Sequence, residues 1–471
     1  MEKQTIAVIG AGPSGLAILK NLREEGFLNV TMFEKRDSIG GVWAYSADAL
    51  VTSTIPYFPP HPDATQVLDY IKSYAKHFDL ERDVKLNTPV KWVKRNAENT
   101  AWKVCIESEK NEEIRDFDKV VFCHGLTYKA VTPEFEGMEK FKGKMIHCQA
   151  FKSPAPFKDM RVLVVGIGNS AADTSTELID TAKKIYLSHR GGGQDSSPKI
   201  ERVATRPRDQ RTKEQVDPSW RLKPAPSLAN HQPVISDNLV SSLAAGSITS
   251  VPGLRRFVDG ETVELTDGTA LTVDAVIFCT GYEPDFSLNQ DFSPLTSAAP
   301  KSPDLNSNDV PRARLYQNLF PPEFADSLVY MNYFALTDGV IPISDLAAMV
   351  IAQVWKGSFK LPSEQAMNAE IDEHHAWVKD LAKDDSVYTG IIRPGPWFAF
   401  LNEAAGTGLN ENLGYGLQGW KFWLKDMKLC NLMMRGVRTP FMHRMFDGRR
   451  KKWNGAREAI LHANELAKEY K

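Results

Sequence analysis

The stretch VLVVGIGNSAADTSTEL, residues 162–178, runs from an apolar strand into a turn with Gly166 and Gly168 and then into a helix. The stretch IAVIGAGPSGL, residues 6–16, has the same order. Glycines at such a turn let backbone N–H groups approach a pyrophosphate, which the positive end of the helix dipole attracts. Since one turn of this kind binds one dinucleotide, the chain is predicted to bind two.

The first unit contains every part of a dinucleotide-binding βαβ motif. Residues 5–9 predict a strand, residues 13–25 a helix and residues 30–33 a second strand. The second strand leads to Glu34, at the spacing of an acid that hydrogen-bonds a ribose. The predicted cofactor contacts of this unit are Gly10, Ala11, Gly12, Pro13, Ser14, Gly15 and Glu34.

The second unit repeats the pattern at residues 161–165, 169–181 and 184–187, with Ala171 in place of the third glycine. After its second strand come Ser188, His189 and Arg190 instead of an acid. An arginine suits a 2′-phosphate by charge and by forked hydrogen bonding, so NADP(H) is favoured over NAD(H). The basic residues that follow are interpreted as a solvated loop: Lys199, Arg202, Arg206, Arg208, Arg211 and Lys213.

Two βαβ units in one chain predict an α/β protein with two Rossmann-like dinucleotide-binding domains. The stretches DKVVFCHGL (118–126) and DAVIFCTGY (274–282) are Asp-led apolar strands that run into a glycine. Together with nearby prolines they indicate where the chain leaves one domain and returns to it. We therefore predict a first domain over residues 1–155 and 276–471, with a helical, aromatic-rich C-terminal region. A second domain is inserted at residues 156–275.

Composition excludes several classes of protein. A chain of 471 residues exceeds the usual limit for a single core, and a formal net charge of −2 gives no attraction to nucleic acid. Five cysteines without C-x-x-C spacing disfavour both a disulfide framework and a redox-active dithiol. No signal peptide, transmembrane segment or metal site is predicted, so we expect a cytoplasmic protein.

With both turns, the chain resembles the flavin-containing monooxygenases, which hold FAD and NADPH in separate Rossmann-like domains. The motifs that carry the resemblance are GAGPSGL (10–16), FEKRDSIGGVW (33–43), FKGKMIHCQAF (141–151), VLVVGIGNSAAD (162–173) and VIFCTGY (276–282). FKGKMIHCQAF is similar to the family's F-x-G-x-x-x-H-x-x-x-F/Y/W fingerprint. The resemblance implies that the NADP domain is inserted in the FAD domain. His147 is expected to make a structural contact rather than to carry a proton.

The resemblance also implies roles for individual residues. It assigns the first turn and Glu34 to FAD, with Lys35, Gly41, Val42 and Trp43 beside the same cofactor. It assigns the second turn to NADP, through Gly166, Gly168, Asn169, Ser170, Ala171, Ala172, Asp173, Ser188 and Arg190. The N-terminus of a helix that begins near Ser344 is expected to stabilise negative charge on the reduced flavin. Thr337 and Asp338 are candidate contacts there.

One stretch departs from the family pattern. LVTSTIPYFPPHP (50–62) has Ser53 where the family usually has asparagine, and the following loop is shortened. Thr52, Ser53 and Thr54 are predicted to touch flavin and nicotinamide, and Ser53 and Thr54 are the candidate catalytic residues of the pocket near flavin C4a. The departure changes the roof of this pocket.

The implied activity is oxygenation of a soft nitrogen or sulfur in a small molecule. NADPH would reduce FAD, O₂ would add at flavin C4a, and the hydroperoxide would transfer its outer oxygen. The alternatives are Baeyer–Villiger oxygenation of a ketone and an NADPH oxidase that releases H₂O₂. A disulfide reductase lacks its C-x-x-C motif, and a non-catalytic dinucleotide sensor ranks last because both turns are intact.

The C-terminal region predicts helices over residues 344–355, 364–381 and 455–469. Aromatic stretches at 396–400 and 419–423 are interpreted as core or dimer packing, with a substrate pocket or a membrane-facing surface as alternatives. Residues 436–453, GVRTPFMHRMFDGRRKKW, are basic and amphipathic, which raises peripheral membrane contact as a hypothesis. The resemblance also leaves a homodimer open.

Overall fold

The computed structural model describes residues 3–44, 64–107, 111–190, 217–223, 230, 234–295, 312–331, 333–335, 339–383 and 387–469. The strands are, in chain order, β1 (Thr5–Ile9), β2 (Asn29–Phe33), β3 (Val84–Lys85), β4 (Val90–Arg95), β5 (Trp102–Glu107), β6 (Glu112–Phe117), β7 (Lys119–Phe122), β8 (Lys129–Ala130), β9 (Lys144–His147), β10 (Arg161–Val165), β11 (Lys184–Ser188), β12 (Ile248–Val251), β13 (Leu254–Phe257), β14 (Thr262–Leu265), β15 (Ala270–Thr272), β16 (Ala275–Phe278), β17 (Tyr282–Glu283) and β18 (Leu328–Tyr330).

The helices are, in chain order, α1 (Pro13–Glu24), α2 (Ala64–His77), α3 (Asn169–Glu177), α4 (Leu239–Ala244), α5 (Val340–Trp355), α6 (Glu364–Leu381), α7 (Pro394–Ala405), α8 (Leu409–Asn412), α9 (Leu417–Lys425), α10 (Met427–Arg435) and α11 (Ala456–Glu469). In the described part of the chain, no helix is both long and apolar enough to span a bilayer.

Two five-stranded sheets form the framework. The first has the strand order β18-β7-β1-β2-β3 and the second β12-β11-β10-β16-β9, and the strand pairs in both are parallel. All strands of the second sheet lie in the chain between β7 and β18 of the first. The predicted α/β architecture, with one dinucleotide-binding domain inserted in the other, is confirmed.

The exact limits of the two domains stay a prediction. β9 lies in the second sheet although it precedes residue 156, and β16 lies there although it runs to Phe278. We therefore propose that the inserted domain extends over about residues 144–278. Such limits keep every strand of the second sheet within one domain.

The two Asp-led strands anchor their sheets in the same way. Asp118, directly before β7, accepts a hydrogen bond of 2.7 Å from the backbone N–H of Thr5. Asp274, directly before β16, accepts one of 2.7 Å from the N–H of Arg161. Thr5 and Arg161 are the first residues of the strands that lead into the glycine turns. The repeated motif therefore fixes the register at the amino edge of each sheet, opposite the turns.

Helix α5 begins at Val340, four residues before the predicted start. Pro342 lies in its first turn, where a missing N–H costs no intrahelical hydrogen bond. The helix is buried on nearly every side and packs against α1 and α7 in the largest core of the first domain. An all-round apolar helix is expected to be buried, and here it brings its N-terminus to the glycine turn.

The C-terminal aromatic stretches have two different environments. Trp397 of α7 is buried, with Phe398 and Phe400 packed against the same core, as predicted for core packing. In α9, Phe422 packs on Phe446 with ring centroids 5.0 Å apart, whereas Trp420 points outwards. Core packing therefore explains the first stretch and only part of the second.

Candidate functional site at the two glycine turns

The first glycine turn is a tight cradle at the carboxyl edge of the first sheet. Gly10 has φ +105°, which side chains rarely adopt. A Cβ atom on Gly10 would lie 2.7 Å from the Cys123 carbonyl oxygen, and one on Gly15 would collide with the carbonyl oxygen of Gly10. Helix α1 therefore lies directly on the turn, with Pro13 in its first turn. This geometry suits a dinucleotide pyrophosphate.

Glu34 stabilises this turn by accepting hydrogen bonds from the backbone. Its buried carboxylate accepts a 2.8 Å hydrogen bond from the N–H of Ala11 and a 3.0 Å bond from the N–H of Arg36. Each carboxylate oxygen has a further lone pair with which to accept a ribose hydroxyl. The neighbouring Lys35 lies outside, with Nζ 4.2 Å from the centroid of the Tyr128 ring.

The glycine pair of FEKRDSIGGVW, Gly40 and Gly41, packs against the first turn. A Cβ atom on Gly41 would lie 3.0 Å from the Cα atom of Gly12, and Arg36 donates a 2.6 Å hydrogen bond to the Gly41 carbonyl oxygen. Trp43 is buried in the core of the first domain, whereas Val42 is 46% exposed. Gly41 and Val42 are therefore accessible to a ligand, and Trp43 supports them.

The N-terminal turns of α1 and α5 meet. The hydroxyl groups of Ser14 and Ser344 are 3.0 Å apart in a buried hydrogen bond. Two turns further along α1, Asn21 donates a 2.7 Å hydrogen bond to Asp345, the residue after Ser344. Two positive helix ends thus face one region, which favours an anionic or electron-rich group. The predicted role of the α5 N-terminus at the flavin stays a prediction.

An ion-pair network holds α1, α5 and the C-terminal region together. Arg444 donates hydrogen bonds of 2.9 and 2.7 Å to the two carboxylate oxygens of Asp345, and Lys20 pairs with Glu24 at 2.6 Å. Burial opposes ionisation of Asp345, but the charges of Arg444 and Lys20 and the hydrogen bond from Asn21 lower its pKa to about 2. Burial lowers the pKa of Lys20 to about 8.

The same network includes two arginines of residues 436–453, the basic segment for which peripheral membrane contact stays a hypothesis. Arg444 and Arg450 both point inwards, with Arg450 3.2 Å from Glu24, and Met442 lies in a C-terminal core. These two arginines therefore do not belong to an outward basic face, whereas Arg449, Lys451 and Lys452 are exposed.

The second glycine turn repeats the first at the carboxyl edge of the second sheet. Gly166 has φ +126°, and a Cβ atom there would collide with the carbonyl oxygen of Cys279. A Cβ atom on Gly168 would meet nothing within 4 Å, so this position is open to a ligand. Asn169 starts α3 and accepts a 2.8 Å hydrogen bond from the N–H of Ile235. Of the other predicted contacts, Ala171 and Ala172 are buried, Ser170 is exposed and Asp173 is half-buried.

Arg190 lies at the outer end of β11. Ser188 and His189 are buried, and the His189 Nε2 atom is 2.9 Å from the Ser250 hydroxyl. Arg190 itself is exposed beside Gly253. It therefore occupies the edge of the sheet that carries the second turn, two residues after the strand ends.

Each residue of the fingerprint FKGKMIHCQAF has a structural role at the edge of the second sheet. Phe141 and Phe151 are buried, and a Cβ atom on Gly143 would collide with the Asp274 carbonyl oxygen. The Nε2–H group of His147, at the end of β9, lies 3.1 Å from the carbonyl oxygen of Gly281. This contact joins the entry and exit segments of the inserted domain, consistent with the structural role expected for His147.

His124, which was not among the predicted site residues, follows β7 and lies beside Gly10. Among the described residues no hydrogen-bond partner reaches its buried Nε2 atom, which belongs to a narrow cavity also lined by Asp285 and Tyr330. Burial lowers the pKa of His124 to about 4, so the ring is neutral at neutral pH. The sequence signal for His124 as a site residue was its position just after an apolar strand, at the carboxyl edge of the first sheet. His124 is a further candidate contact for a bound dinucleotide.

Several predicted residues lie outside the described part of the chain: Thr52, Ser53, Thr54, Thr337, Asp338 and the basic residues between 199 and 213. The predicted pocket near the flavin therefore stays a prediction from the sequence. No group of three potential metal ligands occurs in the parts of the chain that the structure describes.

Comparisons with known proteins agree with this architecture. The chain matches the flavin-binding monooxygenase-like family over residues 52–206 and 200–469, and an NAD(P)-binding Rossmann-like domain over residues 8–72. It is 36% identical to monooxygenase aurF of Gibberella zeae, over 98% of both chains. It is 30% identical to flavin-containing monooxygenase 5 of Homo sapiens, over 98% of this chain and 92% of that one.

Among solved structures, S-allyl-L-cysteine S-oxygenase from Allium sativum superposes with a TM-score of 0.65 over 99% of both chains, at 20% identity. The fold and the paired turns thus define a flavoprotein with two dinucleotide-binding domains. More particularly, this chain belongs to the flavin-binding monooxygenase-like family and is an FAD-dependent monooxygenase with an NAD(P)-binding domain.

Proposed function

We propose that this protein uses NADPH and O₂ to oxygenate a nucleophilic nitrogen or sulfur of a small molecule. The observation that carries the proposal is the intact pair of glycine turns, together with the packed fingerprint residues Phe141, Gly143, His147 and Phe151 in and around the edge strand β9. The name of the Allium relative, an S-oxygenase, supports a soft sulfur nucleophile.

We assign FAD to the first turn and NADPH to the second. Gly41 packed on Gly12, the carboxylate of Glu34 and the adjoining N-terminus of α5 support a flavin nucleotide at the first turn. Bound FAD would supply reduction by NADPH and activation of O₂. The protein's own residues would orient the nucleotides, and the positive ends of α1 and α5 would stabilise negative charge on the reduced ring.

The charge at the second turn supports NADPH rather than NADH. Arg190 is exposed at the end of β11, where a 2′-phosphate would extend from a dinucleotide on the Gly166 turn. Directly after its second strand the first unit carries the acid Glu34, which would repel a phosphate, whereas the second unit carries His189 there and Arg190 next. The two domains are therefore proposed to bind different nucleotides because the charges that follow their second strands are opposite.

The decisive experiment measures how reduced cofactor is used. The holoenzyme, NADPH and ¹⁸O₂ are incubated in turn with a dialkyl sulfide, a tertiary amine and a cyclic ketone. We expect one ¹⁸O atom in a sulfoxide or N-oxide for each NADPH consumed. A lactone from the ketone alone would favour Baeyer–Villiger oxygenation. Equal amounts of NADPH consumed and H₂O₂ released, with no oxygenated product, would identify an oxidase.

We further propose that α9 and the start of α10 contact a membrane surface peripherally. Leu417, Trp420 and Leu424 follow helical spacing on the outward face of α9, and Leu417 is 82% exposed. Lys421 and Lys425 are exposed on the same helix. Exposed leucine and tryptophan flanked by lysine suit an anionic bilayer interface. In a two-fold homodimer this face would bring like charges together, so we favour the membrane over self-association.

A cytoplasmic location remains part of the proposal. The five cysteines are all free thiols, which agrees with a reducing compartment.

A further inference from the structure

Two cysteines that lie far apart in the sequence meet at the second glycine turn. β9 and β16 are adjacent parallel strands, and their last paired residues are His147 and Phe278. Cys148 directly follows β9 and Cys279 directly follows β16. Both side chains belong to the same apolar cluster, on one face of the sheet.

This register suits a covalent link. Neighbouring strands lie about 4.8 Å apart, and disulfides join Cα atoms roughly 4.4 to 6.8 Å apart. The neighbouring Cys279 thiol is the main influence that lowers the pKa of the Cys148 thiol, whereas burial raises it. The Cys148 thiol and burial together raise the pKa of Cys279. Of the two thiols, Cys148 is therefore the one that ionises more readily.

His147 faces the first thiol. Because its Nε2–H group is directed at the Gly281 carbonyl oxygen, Nδ1 is an acceptor; it accepts a 3.2 Å hydrogen bond from the backbone N–H of Gln149 and lies 3.8 Å from the Cys148 sulfur. Cys148 is half-buried and so accessible to a small oxidant, whereas Cys279 is 9% exposed. These surroundings are typical of a reactive cysteine beside a resolving one.

We propose that Cys148 and Cys279 form a reversible disulfide on reaction with hydrogen peroxide, and that its formation is sensed at the second glycine turn. The Cys148 thiol releases its proton to solvent and the thiolate attacks peroxide; an S–O bond forms, the O–O bond breaks, and the departing hydroxide takes up that proton to become water. The Cys279 sulfur then attacks the Cys148 sulfur, an S–S bond forms, and the hydroxyl group leaves with the Cys279 proton as a second water. Two thiols lose two electrons, and peroxide gains them.

The effect on the turn follows from the position of Cys279. A Cβ atom on Gly166 would collide with the carbonyl oxygen of Cys279, and the Cys279 sulfur is 3.9 Å from the Thr174 hydroxyl of α3. A bond to Cys148 removes the S–H donor of Cys279 and with it this hydrogen bond to α3 at the base of the turn. We therefore expect weaker NADPH binding in the oxidised protein. This second part rests on the proposed NADPH site.

The test treats the reduced holoenzyme with small molar excesses of H₂O₂ and maps its peptides by mass spectrometry without reduction. We expect loss of two free thiols, one cross-linked peptide pair containing Cys148 and Cys279, and full reversal by dithiothreitol. Cys148→Ser and Cys279→Ser should each abolish the cross-link, and Cys430→Ser should leave it unchanged. The peptide map of the wild-type protein needs no variant to fold. Thiols that stay free, or Cys148 oxidised to sulfinic acid without a cross-link, would overturn the disulfide.

A second measurement tests the role of His147 and the coupling to the turn. His147→Gln should slow alkylation of Cys148 by iodoacetamide at least several-fold while leaving alkylation of Cys430 unchanged, and equal Cys148 rates would remove His147 from the proposal. The NADPH dissociation constant should rise at least threefold on oxidation and recover on reduction. An unchanged constant in fully cross-linked protein would overturn the coupling alone. Failure of the NADPH site itself would differ, because the reduced protein would then not bind NADPH.

Discussion

Gly15 and Gly168 lie in equivalent dinucleotide turns, yet their surroundings differ. Gly15 is in contact with the carbonyl oxygen of Gly10, whereas nothing lies within 4 Å of a Cβ position at Gly168. Gly15 is therefore required by the packing of the protein itself. Gly168 is required only if a ligand comes close, so substitutions at these two positions distinguish effects on folding from effects on cofactor binding.

We expect Gly15→Ala to abolish FAD retention, because the new methyl group must push helix α1 off the turn. Gly168→Ala should keep both FAD and thermal stability and weaken NADPH binding alone. The measurements are the ratio of flavin to protein after gel filtration, the unfolding midpoint and the NADPH dissociation constant. Full flavin content in Gly15→Ala would contradict the packing argument.

Arg190 is expected to determine the choice of nicotinamide cofactor. A hydrogen bond to a charged group is worth about 1.5 to 3 kcal/mol, so Arg190→Ala should lower the preference for NADPH over NADH roughly 10- to 100-fold. The measurement is the ratio of kcat/KM for the two cofactors. Lys158→Ala, an exposed cation before β10 at the opposite edge of the sheet, is the control. An unchanged ratio in Arg190→Ala would remove the 2′-phosphate assignment.

At the scale of elements, the relation between α1 and α5 depends on a hydrogen-bonded charge network as well as on apolar packing. Asp345 of α5 accepts hydrogen bonds from Asn21 of α1 and from Arg444 of the C-terminal region, and its side chain is only 18% exposed. Its loss would leave Arg444 without its main counter-charge in a largely buried place. Breaking such a pair is far more costly than breaking one at the surface.

Asp345→Asn should destabilise the first domain by about 3 kcal/mol, and Asp372→Asn, whose pair with Arg314 is exposed, by under about 1 kcal/mol. Denaturant unfolding of the two variants followed by tryptophan fluorescence makes the comparison. The folded pKa of Asp345, about 2, lies below the ordinary value of about 3.9. Its contribution is thus complete above about pH 4 and is lost as the pH falls towards 2. Equal effects of both substitutions at pH 7 would disprove the network's role.

At the scale of the whole molecule, one outward face differs from the rest of the described surface. Tyr415, Leu417 and Leu424 are 91%, 82% and 73% exposed and lie within ten residues of one another. The inner face of the same segment packs in the C-terminal core through Phe422 and Leu429. The fold therefore holds α9 in place while leaving its most apolar side uncovered, which typically marks an interaction surface.

We expect the protein to sediment with vesicles that contain phosphatidylserine and much less with phosphatidylcholine alone. Burial of one leucine is worth about 1.5 to 3 kcal/mol, so Leu417→Gln combined with Leu424→Gln should weaken binding more than tenfold. Leu28→Gln, another exposed leucine, is the control. No sedimentation with anionic vesicles would overturn the membrane proposal. A dimer in analytical ultracentrifugation that the double variant disrupts would replace the membrane with a second copy of the chain.

The sequence alone determined the two βαβ units, the insertion of one domain into the other and the opposite charges at Glu34 and Arg190. These features follow from local periodicity, glycine geometry and short spacings, which neighbouring residues specify. Only the tertiary structure decided which distant residues meet: Cys148 with Cys279, Asp345 with Arg444, and His124 with its cavity. The absence of a C-x-x-C motif did not exclude a cysteine pair, because adjacent parallel strands bring together residues that are more than a hundred positions apart. The inward direction of Arg444 and Arg450 likewise depended on buried partners in α1 and α5, which no local pattern specifies.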